Sequence, residues 1–583
     1  MRSKCPALVG RFSVQVVLAL LLGSPLSAET VENDAQEELA DEFVERIEME
    51  VEESEQLYEE LILPTGKVVF RSRFLHSGNY NPSTHYNYLK VSGGNAVFTL
   101  LETDRLSWER LEQFRASLRI RQPGYTLVLG HFKVNAGQGW TVSSSPARFL
   151  HSSRSHSYTA TDEIAGFTSS EAYRGWLGGA AQLRSTRQPF YPEVAFWAGV
   201  QNFDGRRVGD SDQVYLYSSF IDSDTREIRV HEIHQGISMK QRLNLHGTSL
   251  QLIRTSSGFS EQLSPNTSAR FRFTEHSQQL GSTGLLVSHE SDRFSVEAEG
   301  ARQDQEGYGG SVSASYRRQS IGKFYGSAWR ATRRFATLHA RPELVFGFDP
   351  AGTAGYGLSW ANQPAKRWRF ILSHAYRQRE TERYLLVGTS GTDPSPNPVN
   401  AAEWSRATWV SFAFLLPAEL ELNANVTLSD SKRFQSALQT FSTPQRHSLR
   451  LELRHRAEHH LLAIRSQHVV SNSGQGRLFS LDWRANRARP VGYGTSITYL
   501  DTDSWAERVT LVEPVGPGQF PLLTLGGNRI RLAGVITSSP LFGLSFWASS
   551  SIDVVLQETE ILESTNSRAM IRWGLGAEWH PTL

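Results

Sequence analysis

Residues Leu449–Arg456 read LRLELRHR. Leu449, Leu451, Leu453 and His455 alternate with Arg450, Glu452, Arg454 and Arg456. Side chains on a β-strand point to opposite faces with a period of two, so this stretch has one apolar face and one charged face. The pattern recurs almost to the C-terminus, with turn residues between its instances. A charged face repeated over hundreds of residues is not the inside of a soluble core. It fits a barrel whose outer wall meets lipid and whose inner wall meets water.

The same alternation appears in both directions from this stretch. Early in the chain, Val68–Phe74, Tyr86–Val91, Ala96–Thr103, Phe114–Ile120 and Tyr125–Phe132 read as an antiparallel meander with short links. Lys133–Asp162 lacks alternation and is rich in Ser, Gly and His, so it is expected to be a long external or lumen-entering loop. Further strands are expected at Tyr173–Leu183, Tyr191–Asn202, Ala269–Thr274, Phe294–Ala301, Leu420–Leu428, Phe479–Asn486, Phe542–Ser549 and Arg568–His580. Their polar faces place Arg270, Arg272, Glu297, Glu299, Asp482, Arg484 and Arg572, with Arg450, Glu452 and Arg454, on the inner wall as lumen charges. Trp329, Trp360, Trp368, Trp404, Trp573 and Trp579 lie where an interfacial aromatic girdle is expected. At about 20 residues per strand with its link, the chain after the leader holds roughly 26 strands, within bounds of about 22–28 and an even count. A β-propeller is the soluble rival, but it needs a repeated blade signature of about 40 residues and none is present.

The chain has 583 residues and a hydrophobic content of 39%. Its mean hydropathy is −0.37, as expected when lumen-facing residues dilute the average. Residues 1–28 read as a signal peptide: Arg2, Lys4 and Arg11 precede an apolar run from Val14 to Leu22, with Ala28 at the cleavage position. The single cysteine, Cys5, falls in that segment, so the mature chain is expected to lack thiol chemistry. Residues 29–60 hold fifteen acidic side chains and one base, Arg46, leaving the rest of the mature chain with an excess of twelve basic residues. Leu39, Phe43, Ile47 and Val51 fall four apart, so residues 29–63 are expected to form an acidic amphipathic periplasmic helix, ended by Pro64 and Gly66. That helix is either a plug, a docking element for a periplasmic partner, or a leader lying on the barrel mouth. Residues 64–583 are then the barrel.

No enzyme constellation stands out, and no catalytic residue, metal site or cofactor is expected. His231 and His234 are three apart in a strand-like stretch and face opposite sides, which argues against a shared metal. Gly309–Gly310 and Gly474–Gln475–Gly476 lack the strand–loop–helix setting of a phosphate cradle and read as turns. The inner arginines make either an anion-attracting surface or a network of Arg–carboxylate pairs between strands. Glu297 and Glu299 share a face, as selectivity charges or as partners for arginines of a neighbouring strand.

One stretch carries a family resemblance. Leu129–Gly139 reads LGHFKVNAGQG. With Glu102–Asp104, Tyr499–Trp505, Arg508, Glu513 and Gly526–Arg529, it resembles a family of large bacterial outer-membrane barrels that carry periplasmic helix-hairpin-helix repeats of the competence-protein type. The resemblance implies an outer-membrane location in a Gram-negative cell. It gives Gly137, Gln138, Gly139, Asp501, Asp503, Arg508 and Arg529 a structural role, with the Gly137–Gly139 segment placed where the chain leaves a strand and turns inward. Only Leu63–Pro64–Thr65 separates the acidic leader from the first strand, so the repeats themselves are missing. That argues against nucleic acid as a partner. The expected partners are outer-membrane lipid, the barrel assembly machinery and a periplasmic protein reached through residues 29–63. The functions that follow are a porin-like pore or gated transporter for a polar solute or polymer, a non-transporting scaffold, or an accessory to DNA uptake.

Overall fold

The computed structural model describes the chain between residues 67 and 579. Outside the description are residues 1–66 and 580–583, and the connecting segments 78–80, 105–112, 144–163, 168–174, 186–190, 208–212, 217–227, 244–246, 264–276, 305, 319–320, 333, 336–338, 341–351, 366, 386–396, 418, 436–439, 458–459, 486–490, 504–508, 513–521, 526, 539–543 and 558–568. The expected signal peptide, acidic helix and strand Ala269–Thr274, with Arg270 and Arg272, all fall there.

Thirty strands are described. Six are short: Val142–Ser143, Ile164–Gly166, Gln213–Leu216, Thr440–Ser442, Val509–Val512 and Leu522–Leu525. The other 24 follow one another in antiparallel pairs and make one barrel. The first strand, Lys67–Ser77, pairs with the last, Ala569–Trp579, from Phe70 opposite Trp579 to Ser77 opposite Arg572. Closure pairs the edge strands' N–H and C=O groups with each other, as a sheet in hydrocarbon requires. An even strand number lets the first and last strands meet antiparallel. The count lies within the range expected from length.

The connections are unequal at the two ends. Gly94–Asn95 joins Asn81–Gly93 to Ala96–Asp104 as a two-residue turn, with Gly94 at φ 55°. Pro123–Gly124 joins the next pair in the same way. These tight turns share an end with the start of the first strand and the finish of the last. The strand ends that flank the longest connections, such as Arg207 and Ile228 or Thr502 and Asn528, lie at the opposite end. Short turns mark the periplasmic side of outer-membrane barrels and long loops the outer side.

The wall is two-faced as its alternation requires. Leu177, Ile233, Leu252, Leu358, Ile497 and Phe546 are large apolar side chains exposed on the outside. Between them, Glu232, Gln251, Glu299, Glu452, Asp482 and Arg531 are buried inside. In LRLELRHR, Leu451 and Leu453 point out while Glu452 points in. Aromatic rings cluster on the outer face near the tight turns: Trp368 lies 4.2 Å from Phe414 and 5.3 Å from Phe412, and Trp360 lies 5.3 Å from Phe370. A closed antiparallel barrel with an apolar, aromatic-edged outer face is a bacterial outer-membrane protein.

Three expectations need correction. The strand starting at Tyr125 continues to Ala136, not Phe132, so it runs four residues longer than expected and the GQG turn follows directly on its end. Trp329 is not part of the girdle: it is 4% exposed and faces inward, packing with Trp140, Phe335 and Ala375. Gly309–Gly310 is not a turn but lies inside Tyr308–Arg318, where a Cβ on Gly309 would come within 2.5 Å of the Trp140 ring. In each case the cause is the same: segments from the long-loop end fold back into the lumen and form apolar cores against the inner wall. One such core joins Phe132, Val134, Val142, Ile164, Trp176 and Trp197.

The outward assignment makes a measurable prediction. Leu481 lies on the lipid face near the middle of its strand, Gln475–Ala485. Leu481→Arg is expected to destabilise the barrel by about 2–4 kcal/mol in equilibrium unfolding from bilayers. A change below about 0.5 kcal/mol would reverse the assignment of faces.

Candidate functional site in the barrel interior

Two charged constellations on the inner wall carry most of the residues expected there. The first is built where the chain leaves the strand Tyr125–Ala136. Gly137 and Gly139 adopt φ values of 65° and 86°. This left-handed backbone, open to glycine at no steric cost, turns Gln138–Thr141 into the lumen. The strand Phe294–Gln303 receives the turn. Glu299 is 3% exposed and accepts the backbone N–H of Gln138 and, at 3.3 Å, the hydroxyl of Thr141. The Gln138 amide donates to Glu297 at 3.2 Å and to Ser313 Oγ at 3.1 Å, while its oxygen accepts from Ser311 Oγ at 2.5 Å. Trp140 Nε1 donates to the same Ser311 hydroxyl at 2.5 Å.

Glu297 and Glu299 therefore do not face arginines across the ladder. Their partners are the amide, hydroxyl and backbone groups of a turn about 160 positions away. Buried polar groups are held by the hydrogen bonds they make, and Glu299 is placed to anchor the turn as an acceptor of its N–H and O–H donors. A Cβ added to Gly137 would lie 2.5 Å from a Glu299 oxygen, so glycine is needed there for contact as well as for conformation. Gly137–Gly139 thus follows the end of Tyr125–Ala136 and carries the chain into the lumen.

The second constellation spans Gln445–Ala457 and the two strands after it. Glu452, at its centre, receives Arg450 at 3.0 Å, Arg454 at 2.5 Å and Arg465 at 3.4 Å. Arg465 also reaches Asp482 at 3.6 Å. Arg484 follows Asp482 on the same inward face of Gln475–Ala485. Among the described residues the cluster's ion pairs set four guanidinium groups around two carboxylates, with Glu421 opposite Arg454 in the ladder as a third acid, which leaves a positive excess. The side chains of Arg450 and Arg454 remain 33% and 39% exposed, so the excess faces the lumen. The two readings of the arginines combine here: an ion-pair network that still presents uncompensated positive charge.

Arg465 was not among the expected lumen charges. Its signal was present, because Ala463, Arg465 and Gln467 alternate with Leu462 and Ile464. A further inward pair, Arg531 with Asp553, is buried and closed by Ser551 at 2.8 Å from Arg531. The side chain of Arg572 is outside the description, although its backbone pairs with Ser77. Arg508 lies outside as well. Asp501 pairs in register with Arg477, and Arg529 with Leu500. Asp503 closes the turn at Gly474 by accepting the Gln475 N–H at 2.7 Å. These motif residues shape strand ends and do not join either lumen constellation.

No known family model matches the chain, and no curated protein matches it. Among solved structures it is similar to the translocation pore of the P pilus usher PapC, at 9% identity and a TM-score of 0.37, covering 89% of this chain and 99% of that one. It is also similar to the siderophore receptor PirA from Pseudomonas aeruginosa, at 8% identity and a TM-score of 0.42, covering 89% and 81%. The FrpB iron transporter from Neisseria meningitidis is similar at 12% identity and a TM-score of 0.41, again covering 89% and 81%.

Removing the acceptor should release the inward turn. Glu299→Ala removes the partner of the Gln138 N–H and of the Thr141 hydroxyl. Hydrogen exchange at residues 138–141 is expected to accelerate by about tenfold or more, the equivalent of one lost buried hydrogen bond. Unchanged exchange there would show that the turn is held by other contacts.

Proposed function

We propose that the protein is an outer-membrane pore or gated transporter for a polar solute or polymer, and that it favours anions. The observation that carries this reading is the cluster of Arg450, Arg454, Arg465 and Arg484 on the inner wall, where the described ion pairs are to Glu452 and Asp482. Charge on a water-facing wall lowers the energy of counter-ions in the lumen and raises their local concentration.

The inward turn at Gly137–Thr141 supplies the gating element in this reading. It lies in the lumen, held by its bonds to Glu297, Glu299 and Ser311 and by Trp140 packing on Phe335 and Trp329. The acidic segment 29–63 leads into the first strand at the tight-turn mouth. Its negative charge makes it a candidate plug or periplasmic docking element for a lumen of positive excess.

Planar-bilayer conductance of the full chain, and of a form lacking residues 29–63, tests the proposal. The expected result is ion conductance with anions passing more readily than cations. Arg450→Gln with Arg454→Gln is expected to lower the anion-to-cation permeability ratio by about twofold or more. Conductance only in the shortened form makes the acidic segment the plug. Electrical silence from both forms overturns the pore reading in favour of a scaffold.

A further inference from the structure

A third group of inward side chains belongs to neither constellation. Glu232 and His234 lie two apart on the strand Ile228–Arg242, so they share its inner face, and both are 0% exposed. His231, which sequence pairs with His234, points outward and is irrelevant to them. The third member, His339, comes from the connection after the strand Gly322–Ala331, which folds back into the lumen. Its carbonyl accepts the Ser143 N–H at 2.9 Å, which ties two inward segments together. His339 Nε2 lies 2.5 Å from Glu232 Oε1, and His234 Nδ1 lies 3.8 Å from that same oxygen. One donor atom from each of the three residues lies within 4.8 Å of the others.

The hydrogen bonding leaves this group incomplete. Ser257 Oγ lies 2.8 Å from His234 Nδ1 and occupies that nitrogen. His234 Nε2 and the second Glu232 oxygen are buried and have no partner. The Trp176 ring stacks on His234 at 4.4 Å and 11°, and also contacts His339, fixing the imidazole planes and excluding water from one side. Buried polar atoms are normally satisfied, so two unsatisfied donor-set atoms in one His–His–Glu cluster ask for a ligand. A hydroxyl bonded to one imidazole nitrogen, with the other nitrogen left free, is one way proteins orient a metal-binding histidine.

We propose that Glu232, His234 and His339 bind a first-row divalent cation of the zinc(II) class. Two imidazoles and one carboxylate, with no thiolate, suit such an ion, and three protein ligands leave a coordination position open. Tetrahedral zinc places its ligand atoms roughly 3.3 Å apart, so the cluster closes modestly around the ion. The cation replaces the proton shared by His339 Nε2 and Glu232 Oε1, and that proton leaves to the lumen water. The bound ion then fastens the inward segment at His339 to the wall strand. The result is a metal-dependent latch inside the barrel, distinct from the charge cluster around Glu452.

The test is calorimetric titration of zinc(II) into the folded, chelator-treated full chain in detergent, with cobalt(II) absorption as a second readout of coordination. The expected result is one site of micromolar or tighter affinity, weakened at least about 100-fold by Glu232→Gln and by His339→Ala. His339 lies off the wall strands, so His339→Ala should leave the barrel folded, which heat-shifted gel migration verifies. His231→Ala is expected to change nothing. No wild-type binding below millimolar zinc, or binding that His339→Ala leaves intact, overturns the proposal.

Discussion

The ladder between Lys67–Ser77 and Ala569–Trp579 is the constraint on which the rest depends. In hydrocarbon an unpaired N–H or C=O has no water to turn to, so an open sheet of this size would leave two edges unsatisfied. Closure removes both edges at once. It also forces the first and last strands to be neighbours although they are separated by nearly the whole chain. Every inward side chain then faces the same enclosed space, whatever its position in sequence. That is how Glu299 meets Gln138, and how Glu232 meets His339.

Enclosure changes what the inner face must do. A lumen inside 24 strands is too wide to be filled by wall side chains alone. Here part of it is filled by chain from the long-loop end, and that chain brings its own apolar surface. Trp140 and Phe335 pack against Trp329 with ring centroids of Trp140 and Phe335 5.5 Å apart. The inner wall is therefore divided. One arc is apolar where segments dock, and another, around Glu452, is charged where water is met. Burying the Glu452 carboxylate is tolerable because three guanidinium groups compensate it, while the surplus charge stays near solvent.

The three interior groups differ in how they hold together. The contact between Glu299 and the GQG turn is a carboxylate satisfied by backbone and hydroxyl donors, and it positions chain. The arginine cluster is a network of like charges around too few acids, and it shapes the field of the lumen. The His–His–Glu group has donor atoms left over. Each uses the inward half of the alternation, but only the first depends on glycine: Gly137 provides both the positive φ and the space for the Glu299 carboxylate.

Sequence by itself determined the alternation, and with it the barrel, the two faces and the approximate strand number, because a period of two is a local property and lipid outside leaves one way to satisfy it. LRLELRHR already assigned Leu451 and Glu452 to opposite sides. It also put Arg450, Glu452, Arg454, Asp482 and Arg484 on the inner wall, since neighbouring strands carry that face in register. Tertiary structure alone decided what each inward residue meets. Glu297 and Glu299 looked like partners for cross-strand arginines, but a turn some 160 residues away reaches them first. Trp329 looked like a girdle residue, but Trp140 and Phe335 cover it. Two-residue periodicity reports which side of the sheet a residue takes. It holds no information about chain that returns through the lumen, because those contacts are made across the barrel and not along the ladder.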